Sequence, residues 1–472
     1  MSHKITQEMM DGFPPEAREV IRLLLGEIAE LKAEVASLRS ELARQGMTPQ
    51  NSSLPPSTQH PHAKPVKPQA KSKNKRGGQP GHPKYERSLI PTEQCDEVVP
   101  LKPTSCRRCG TNLAGDDCEP LRHQVYEIPE IKPIITEYQQ HRLNCSHCGE
   151  TTCAMLPVGV PRGGSGPKLI AFVALLMACF RQSKRRTSLF VTSILNIPCS
   201  ASLTVKHQVI ATQALQPAYH ELVAALPMQT HLNGDESPTK EGLIKSWLWT
   251  FVARTFTVFA LRGSRAATTI TELLGETFAG VMSCDRAKMY WRCGRLQWCW
   301  AHLKRDFQAL IDDSDPQVKR LGHDLMRPTK ELFRHWQRCR DGTITRSEFQ
   351  CLMQPIRREI DNLLLRGVFS ANPRLIGMCR ELYDHREWLW TFLDTEGIEP
   401  TNNAAERSLR HAVIWRKLSF GTQSAAGSRF VETLLTIIET CRQQDRNVVE
   451  FVTKAVEAHF QKLPAPSLLP RV

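Results

Sequence analysis

The sequence has no hydrophobic run long enough to cross a membrane. Its longest apolar stretch, 169–180, lies between Lys168 and Arg181 and falls well short of the roughly 20 residues that a membrane-spanning helix needs. The first residues, MSHKITQEMMDG, contain no apolar core of the kind found in secretory signal peptides. These absences argue against an integral membrane or secreted protein and predict a cytoplasmic one.

Acidic residues are scarce relative to basic ones. The 472 residues include 48 Asp and Glu against 62 Lys and Arg, which gives a formal net charge of +14. An excess of positive charge on this scale points to a polyanionic partner, with nucleic acid as the first candidate. At roughly 100–200 residues per domain, the length predicts several domains.

Cysteine is abundant, yet a disulfide framework is not expected in a reducing compartment. Two C-x-x-C-G motifs predict a structural zinc ion held by Cys106, Cys109, Cys145 and Cys148. Strand-like segments at 124–128 and 134–138 lie between the motifs, as in a zinc ribbon. The competing interpretation, a redox-active C-x-x-C, predicts a single motif at a helix start within a βαβ unit.

The N-terminal segment follows a heptad pattern from Ile21 to Leu42. Isoleucine or valine occupies most a positions and leucine every d position, and glutamates at g face basic residues at e. This pattern predicts a parallel two-stranded coiled coil, and hence a homodimer or a higher oligomer. The alternative is an amphipathic helix that packs on its own chain.

Residues 46–90 have almost nothing that could form a core and carry eight basic residues against one acid. This composition predicts a flexible arm. One function for it is non-specific contact with DNA phosphates through Lys73, Lys75 and Arg76, and the alternative is a solvated spacer.

Residues 165–226 are predicted to be helical. A basic run, Lys184, Arg185 and Arg186, precedes a helix at 189–195, the chain breaks at Asn196, and a second helix follows at 202–215. The arrangement is compatible with a helix-turn-helix reader of DNA, although any small helical domain has this pattern.

A mixed sheet is predicted next, with a helix at 268–277 and strands at 229–235, 246–254, 256–261, 280–284 and 295–300. Asp235 is placed at the end of the first strand and Asp285 directly after the fourth. Strands order in space independently of their separation in sequence, so these two aspartates can meet. Singly, each is more often a turn or N-cap residue. Helices predicted from 306 to 390 contain no catalytic constellation.

The third acid is Glu406, on a helix predicted to begin after Pro400 with Asn403 as its N-cap. It is the only acid among five basic residues on that helix. A carboxylate so placed can hold a divalent cation while Arg407, Arg410 and Lys417 take DNA phosphates. Alternatively, Glu406 closes a capping box with Asn403 and has no other role.

Together, Asp235, Asp285 and Glu406 suggest a site for two Mg²⁺ ions, or Mn²⁺, that supports in-line displacement at phosphorus. One ion activates a water or a DNA 3′-hydroxyl and the other stabilises the leaving oxygen.

At this point the chain resembles the DDE transposases of the bacterial insertion sequence 66 family, in the subgroup with one long reading frame. The resemblance rests on the heptads, N-S-S-x-P-P-S at 51–57, G-G-Q-P-G-H at 77–82, the cysteine motifs, D-E-S at Asp235, and Cys299-x-x-His302. It is most specific at N-N-x-A-E-R-x-L-R, 402–410, and V-I-x-R-K, 413–417. The family usually has Gly where this chain has Arg286, and Pro where it has His411.

The resemblance implies a multidomain α/β protein with an RNase H-like catalytic domain, a helical insertion before the last acid, and Asp235, Asp285 and Glu406 as catalytic triad. It also suggests that Cys299 and His302 brace the floor of the active site. The resulting domain prediction is a leucine-zipper coiled coil at 1–45, a basic linker at 46–92, a zinc ribbon at 93–160, a helix-turn-helix-like domain at 161–227, the catalytic domain at 228–309 and 391–445, its insertion at 310–390, and a C-terminal helix and tail at 446–472.

The predicted function is Mg²⁺-dependent cleavage and strand transfer at the terminal inverted repeats of a mobile element, by a nucleoid-associated bacterial protein. Two alternatives remain open. One is a zinc-containing DNA-binding regulator that has lost catalysis, and the other is a nuclease that cuts without rejoining.

Overall fold

The computed structural model describes residues 12–45, 51 and 87–469. Twenty regular helices and strands lie within these residues, in the order α1 (Pro15–Gln45), β1 (Arg142–Asn144), β2 (Thr151–Cys153), α2 (Pro167–Ala178), α3 (Lys184–Ile194), α4 (Ala201–Ala225), β3 (His231–Glu241), β4 (Ile244–Val252), β5 (Thr257–Arg262), α5 (Ala267–Leu274), β6 (Val281–Cys284), β7 (Leu296–Trp298), α6 (Trp300–Ile311), α7 (Pro316–Arg340), α8 (Arg346–Val368), α9 (Pro373–Asp384), α10 (Glu387–Asp394), α11 (Asn403–Ser419), α12 (Ala425–Gln443) and α13 (Val448–Gln461). Short 3-10 turns occur at Thr92–Gln94, Leu226–Met228 and Lys288–Cys293.

The centre of the fold is a five-stranded mixed sheet with the order β5-β4-β3-β6-β7. β3, β4 and β5 pair antiparallel, whereas β6 and β7 run parallel to β3. The predicted α/β class and mixed sheet are therefore confirmed, and β3 lies in the middle with a partner on each side.

The predicted end of the first strand at Asp235 is wrong, because β3 continues to Glu241. Its second half pairs with β4, from Asp235 opposite Thr250 to Glu241 opposite Ile244, and Glu241 at its end also forms a parallel bridge with Thr422. Pro238 is tolerated there because its carbonyl accepts a hydrogen bond from Arg416 on the open side, so the N–H that proline lacks also faces away from β4. Backbone pairing with β4 keeps this stretch extended, although its polar residues and its proline locally resemble a turn.

The strands predicted at 124–128 and 134–138 are not formed. Val125, Ile128, Ile134 and Ile135 are exposed in this region, and a β-branched sequence without a partner strand or a packing surface has nothing to hold it in a sheet. The strand pair that does form is β1 with β2, directly around the second cysteine motif.

The other sequence predictions have mixed outcomes. α1 covers the heptads, and three helices occupy most of 165–226, with breaks after Ala178 and Ile194. The basic run of the predicted arm, Lys73, Lys75 and Arg76, lies outside the described residues. Within the described part of the chain, no helix combines the length and the hydropathy that crossing a membrane requires.

One large hydrophobic core joins α2, α4, the sheet, α7, α8 and the two C-terminal helices. The helical insertion contributes to this core through Leu321, Leu325, Leu332, Leu364 and Trp390, which are all buried. Tyr219 on α4 donates a hydrogen bond to the Phe259 carbonyl of β5. The helices that precede the sheet are thus bound directly to its edge strand.

The edge strand β5 is closed by side chains of α12. The backbone N–H groups of Thr257, Phe259 and Leu261 donate to Thr440 Oγ1 at 3.1 Å, Thr436 Oγ1 at 2.9 Å and Glu432 Oε2 at 2.8 Å. Four helical residues rise about 6 Å and two strand residues rise about 6.7 Å, so the two spacings match over this length. The helix therefore satisfies an edge that could otherwise pair with another chain.

We expect Thr436→Val to lower the free energy of unfolding by about 1–3 kcal/mol, because it leaves the buried Phe259 N–H without an acceptor while conserving side-chain volume. Denaturant titration measures the change. Thr453→Val on α13 is the matched control, since the Thr453 hydroxyl bonds only to the Val449 carbonyl of its own helix. Equal losses in the two variants would contradict the edge-closing role of Thr436.

Candidate active site

The two aspartates lie at corresponding positions, just beyond the hydrogen-bonded ladder of two adjacent parallel strands. The ladder between β3 and β6 pairs His231 with Val281 and Asn233 with Ser283. Asp235 and Asp285 each follow the end of this ladder by two residues. Strand order and register therefore bring them side by side at the edge where β6 ends and β3 continues.

The Asp235 carboxyl lies in a strongly unfavourable environment for its own charge. Burial raises its pKa well above the usual value, and negative charge on Glu236, Asp285 and Glu406, in that order, raises it further. Its Oδ1 accepts a hydrogen bond of 2.9 Å from the Glu236 N–H. A carboxylate that is close to three other acids, and has no basic partner among the residues that the structure describes, is suited to bind a cation.

Glu236 is a fourth acid that the sequence interpretation did not single out. Its Oε2 accepts a 2.6 Å hydrogen bond from the Tyr290 hydroxyl, and its Oε1 accepts a 2.7 Å bond from Arg265 Nε. Burial is the largest cause that raises its pKa. The adjacent acids in D-E-S were the available signal, but the partners of Glu236 are visible only in the structure.

Gly234 is required by the packing beside Asp235. A Cβ at this position would lie 2.8 Å from Met282 Sδ and 3.0 Å from Tyr290 Cε1. Only glycine lets the strand, Met282 and the Tyr290 ring approach this closely.

Glu406 enters the same site from α11. Its Oε1 lies 3.6 Å from His302 Nδ1 and its Oε2 lies 3.7 Å from Arg305 Nη2. Both distances are too long for hydrogen bonds, and Oε1 is buried with no hydrogen-bond partner in the described part of the chain. A buried carboxylate oxygen of this kind is suited to bind a cation.

The capping interpretation of Glu406 is wrong, and so is the assignment of Asn403 as N-cap. Asn402 occupies the cap position and makes no side-chain capping bond. Glu406 is consequently the fourth residue of the helix and not the third. The prediction failed because two consecutive asparagines offer the same local signal.

Asn402 instead ties the helix to the sheet. Its Nδ2 donates a 2.7 Å hydrogen bond to the Gly234 carbonyl, and its backbone N–H donates to Cys299 Sγ at 3.2 Å. Gly234, next to Asp235, and Asn402, four residues before Glu406, are thus held together. This contact sets the position of the third acid relative to the first.

Arg286 follows Asp285 and forms ion pairs with two other carboxylates. Its guanidinium lies 3.1 Å from Asp306 on α6 and 3.4 Å from Glu381 on α9. The arginine therefore anchors the loop after Asp285 to the helical insertion, and its charge is balanced by these two acids.

The predicted DNA-binding residues that the structure describes are all exposed. Arg407, Arg410 and Lys417 lie on α11, on the helix that carries Glu406. The basic run at the start of α3, comprising Lys184, Arg185 and Arg186, is likewise exposed. Side chains of this kind can reach a phosphate backbone without loss of packing.

The two cysteine motifs form equivalent turns. The Gly110 N–H donates to the Cys106 carbonyl, the Gly149 N–H donates to the Cys145 carbonyl, and both glycines have φ of +76°. The hydrogen bond with the Thr111 side chain is the largest cause that lowers the pKa of Cys109 to about 7. Each turn therefore presents two cysteines in the same backbone geometry, as a pair that can bind a metal.

The two cysteine pairs do not share one centre in this structure. Among the described residues, the only three potential ligands whose donor atoms all lie within 4.8 Å of one another are Cys299, His302 and Glu406. The zinc ribbon thus stays a prediction.

Comparison with known proteins identifies one family. The profile described as "Transposase IS66 family" matches residues 162–429, which include all three predicted catalytic acids. An uncharacterized protein of Sinorhizobium fredii, y4hP, is 23% identical over 389 residues, covering 74% of this chain and 69% of that protein. A second, y4qI of the same bacterium, is 23% identical over 256 residues, covering 48% of this chain and 46% of the relative.

Proposed function

Because this chain belongs to the IS66 family of transposases, we propose that it binds the ends of an insertion sequence and catalyses DNA cleavage and strand transfer. The observation that carries the proposal is the convergence of acids at one edge of the sheet. Asp235 and Asp285 come from adjacent parallel strands, and Glu406 lies near enough to raise the pKa of Asp235.

The strand order supports an RNase H-like catalytic domain, as family membership implies. Three antiparallel strands are followed by two parallel ones, and helices α7 to α10 stand between β7 and the helix of Glu406. Two acids on neighbouring strands and a third on a later helix is the arrangement that a DDE mechanism needs.

The carboxylates of Asp235, Asp285 and Glu406 are suited to hold Mg²⁺, or Mn²⁺, which supplies activation of the attacking oxygen and stabilisation of the leaving oxygen. The residues around them hold this geometry. Asn402 fixes α11 against β3, and Tyr290 with Arg265 neutralises and restrains Glu236.

DNA is proposed to lie along the exposed side of α11. Arg407 and Arg410 project from the helix within one turn of Glu406 and carry no carboxylate partner in the described part of the chain. They are suited to bind phosphates on either side of the scissile bond. Lys417 and the basic run on α3 extend the positive surface.

The test is an assay with DNA that carries the inverted repeats flanking the gene. Purified protein with Mg²⁺ is expected to release 3′-hydroxyl ends and join them to a target DNA. Binding without cleavage would favour the regulator, and cleavage without joining would favour the nuclease. Either result would contradict the proposal.

We further propose that the four motif cysteines close around a structural zinc ion. Cys106→Ser with Cys109→Ser is then expected to lose one equivalent of zinc and to loosen residues 93–160, because metal binding and folding are coupled in such domains. Metal analysis of the purified chain measures the loss. Cys118→Ser with Cys153→Ser, at two other exposed cysteines of the region, is the control. Equal zinc in both double variants would overturn the assignment.

The heptads of α1 are proposed to pair two chains. Leu24, Ile28 and Leu31, at d, a and d, are about half exposed, as expected for an apolar stripe that a second helix covers.

Leu24→Asp is expected to convert the dimer to a monomer in sedimentation, since a charge unpaired between two helices costs several kcal/mol. Leu23→Asp, one residue away at position c and also exposed, should leave the mass unchanged. A dimer that survives Leu24→Asp would exclude pairing through this stripe.

A further inference from the structure

Cys299, His302 and Glu406 form a compact group of ligand atoms of three different kinds. One thiol, one imidazole nitrogen and one carboxylate oxygen all lie within 4.8 Å of one another. Cys299 precedes α6 and His302 lies three residues later, on the same side of the helix start. Glu406 reaches the pair from α11.

Two of the three ligand atoms have no hydrogen-bond partner among the described residues. His302 Nδ1 and Glu406 Oε1 face each other at 3.6 Å, and both are buried without a hydrogen bond. Asn402, whose N–H bonds to Cys299 Sγ, has a third unpaired buried atom, Oδ1. Leaving several buried polar atoms unsatisfied destabilises the protein, so a bound species that satisfies them is favoured.

The separation of the two facing atoms suits a metal ion between them. Ligands bonded at about 2.0–2.1 Å to a tetrahedral zinc ion lie roughly 3.3–3.5 Å apart. A thiolate and a carboxylate also balance the charge of a divalent ion in a buried position. Sulfur and nitrogen donors select zinc over magnesium, which prefers oxygen alone.

We propose that Cys299, His302 and Glu406 bind a zinc ion, and that zinc bound there withholds Glu406 from the magnesium site. On coordination the Cys299 S–H bond is replaced by an S–Zn bond and the proton passes to solvent. Three protein ligands leave a fourth position for water. The inhibitory half of the proposal rests on the proposed catalytic role of Glu406, whereas the binding half does not.

The binding half is tested with cobalt, which takes zinc sites and reports thiolate ligation by its charge-transfer absorption. Metal-free full-length protein is titrated with Co²⁺, and bound metal is counted. We expect Cys299→Ser and His302→Gln each to bind one equivalent less than the parent, with weaker thiolate absorption for Cys299→Ser.

Cys284→Ser is the matched control, because Cys284 is equally buried and its carbonyl accepts the Cys299 N–H. It should bind as many equivalents as the parent. His302→Gln alters a partly exposed side chain, so it tests the metal site even if Cys299→Ser does not fold. Parental stoichiometry and spectrum in His302→Gln would overturn the site.

The inhibitory half is tested by adding zinc to a strand-transfer reaction with Mg²⁺. The parent should lose activity as the additional equivalent binds, and His302→Gln, normalised to its own zinc-free rate, should resist. If zinc binds but does not slow strand transfer by the parent, the inhibitory half of the proposal is overturned and the binding half stands. A parent without strand transfer would overturn the proposed function and the inhibition with it, while the cobalt titration still decides the site.

Discussion

Glu406→Gln is expected to reduce strand transfer by at least about a thousandfold while the fold and DNA binding persist. The substitution removes a charged metal ligand but almost no volume, and losses of this size follow removal of one member of a catalytic unit. The buried Oε1 of Glu406 has no hydrogen bond to lose. Strand-transfer rates, circular dichroism and DNA binding of the same preparation measure the three properties.

Two further variants make this result specific. Glu399→Gln changes an exposed acid seven residues earlier and should retain parental activity. Arg410→Ala should weaken DNA binding and lessen its salt dependence by about one phosphate contact, with residual Mg²⁺-dependent cutting. A well-folded Glu406→Gln protein with parental strand transfer would refute the catalytic assignment.

Asp235→Asn and Asp285→Asn are expected to have losses as large as that of Glu406→Gln, and the double variant should lose little more. Ligands of one metal cluster act as a unit, so removing the second costs little once the first is absent. The adjacent positions of the two aspartates beyond the β3–β6 ladder provide the structural reason. Single and double variants are compared in one strand-transfer series.

Stability supplies an independent check on the aspartates. The raised pKa of Asp235 means that its charge opposes folding in the metal-free protein. Asp235→Asn should therefore be at least as stable as the parent near neutral pH without Mg²⁺, and this advantage should shrink as the pH falls and the parent carboxyl takes up its proton. Two results would contradict a shared metal site. One is a double variant whose loss of strand transfer equals the product of the two single losses. The other is a metal-free Asp235→Asn protein that is much less stable than the parent.

Much of the fold could be predicted because its signals are local. The heptads, the glycine-flanked cysteine turns and the amphipathic helices of 310–390 each depend on residues within a few turns of one another. Where the local signal was ambiguous, prediction failed. Asn402 and Asn403 are equally good caps, and the β-branched stretches near 125 and 135 look like strands until the absence of a partner strand is known.

The sequence by itself predicted which side chains would carry the proposed chemistry: three acids, four motif cysteines and a basic surface. Only the tertiary structure decided which distant groups the side chains contact. Asn402 bonds to Gly234, Thr436 closes the edge at Phe259, and Tyr290 holds Glu236, across 54 to 177 residues of sequence. Such pairings depend on strand order, register and the direction from which a helix packs. These are properties of the whole core, because a residue's local neighbours do not specify which distant backbone will lie beside it.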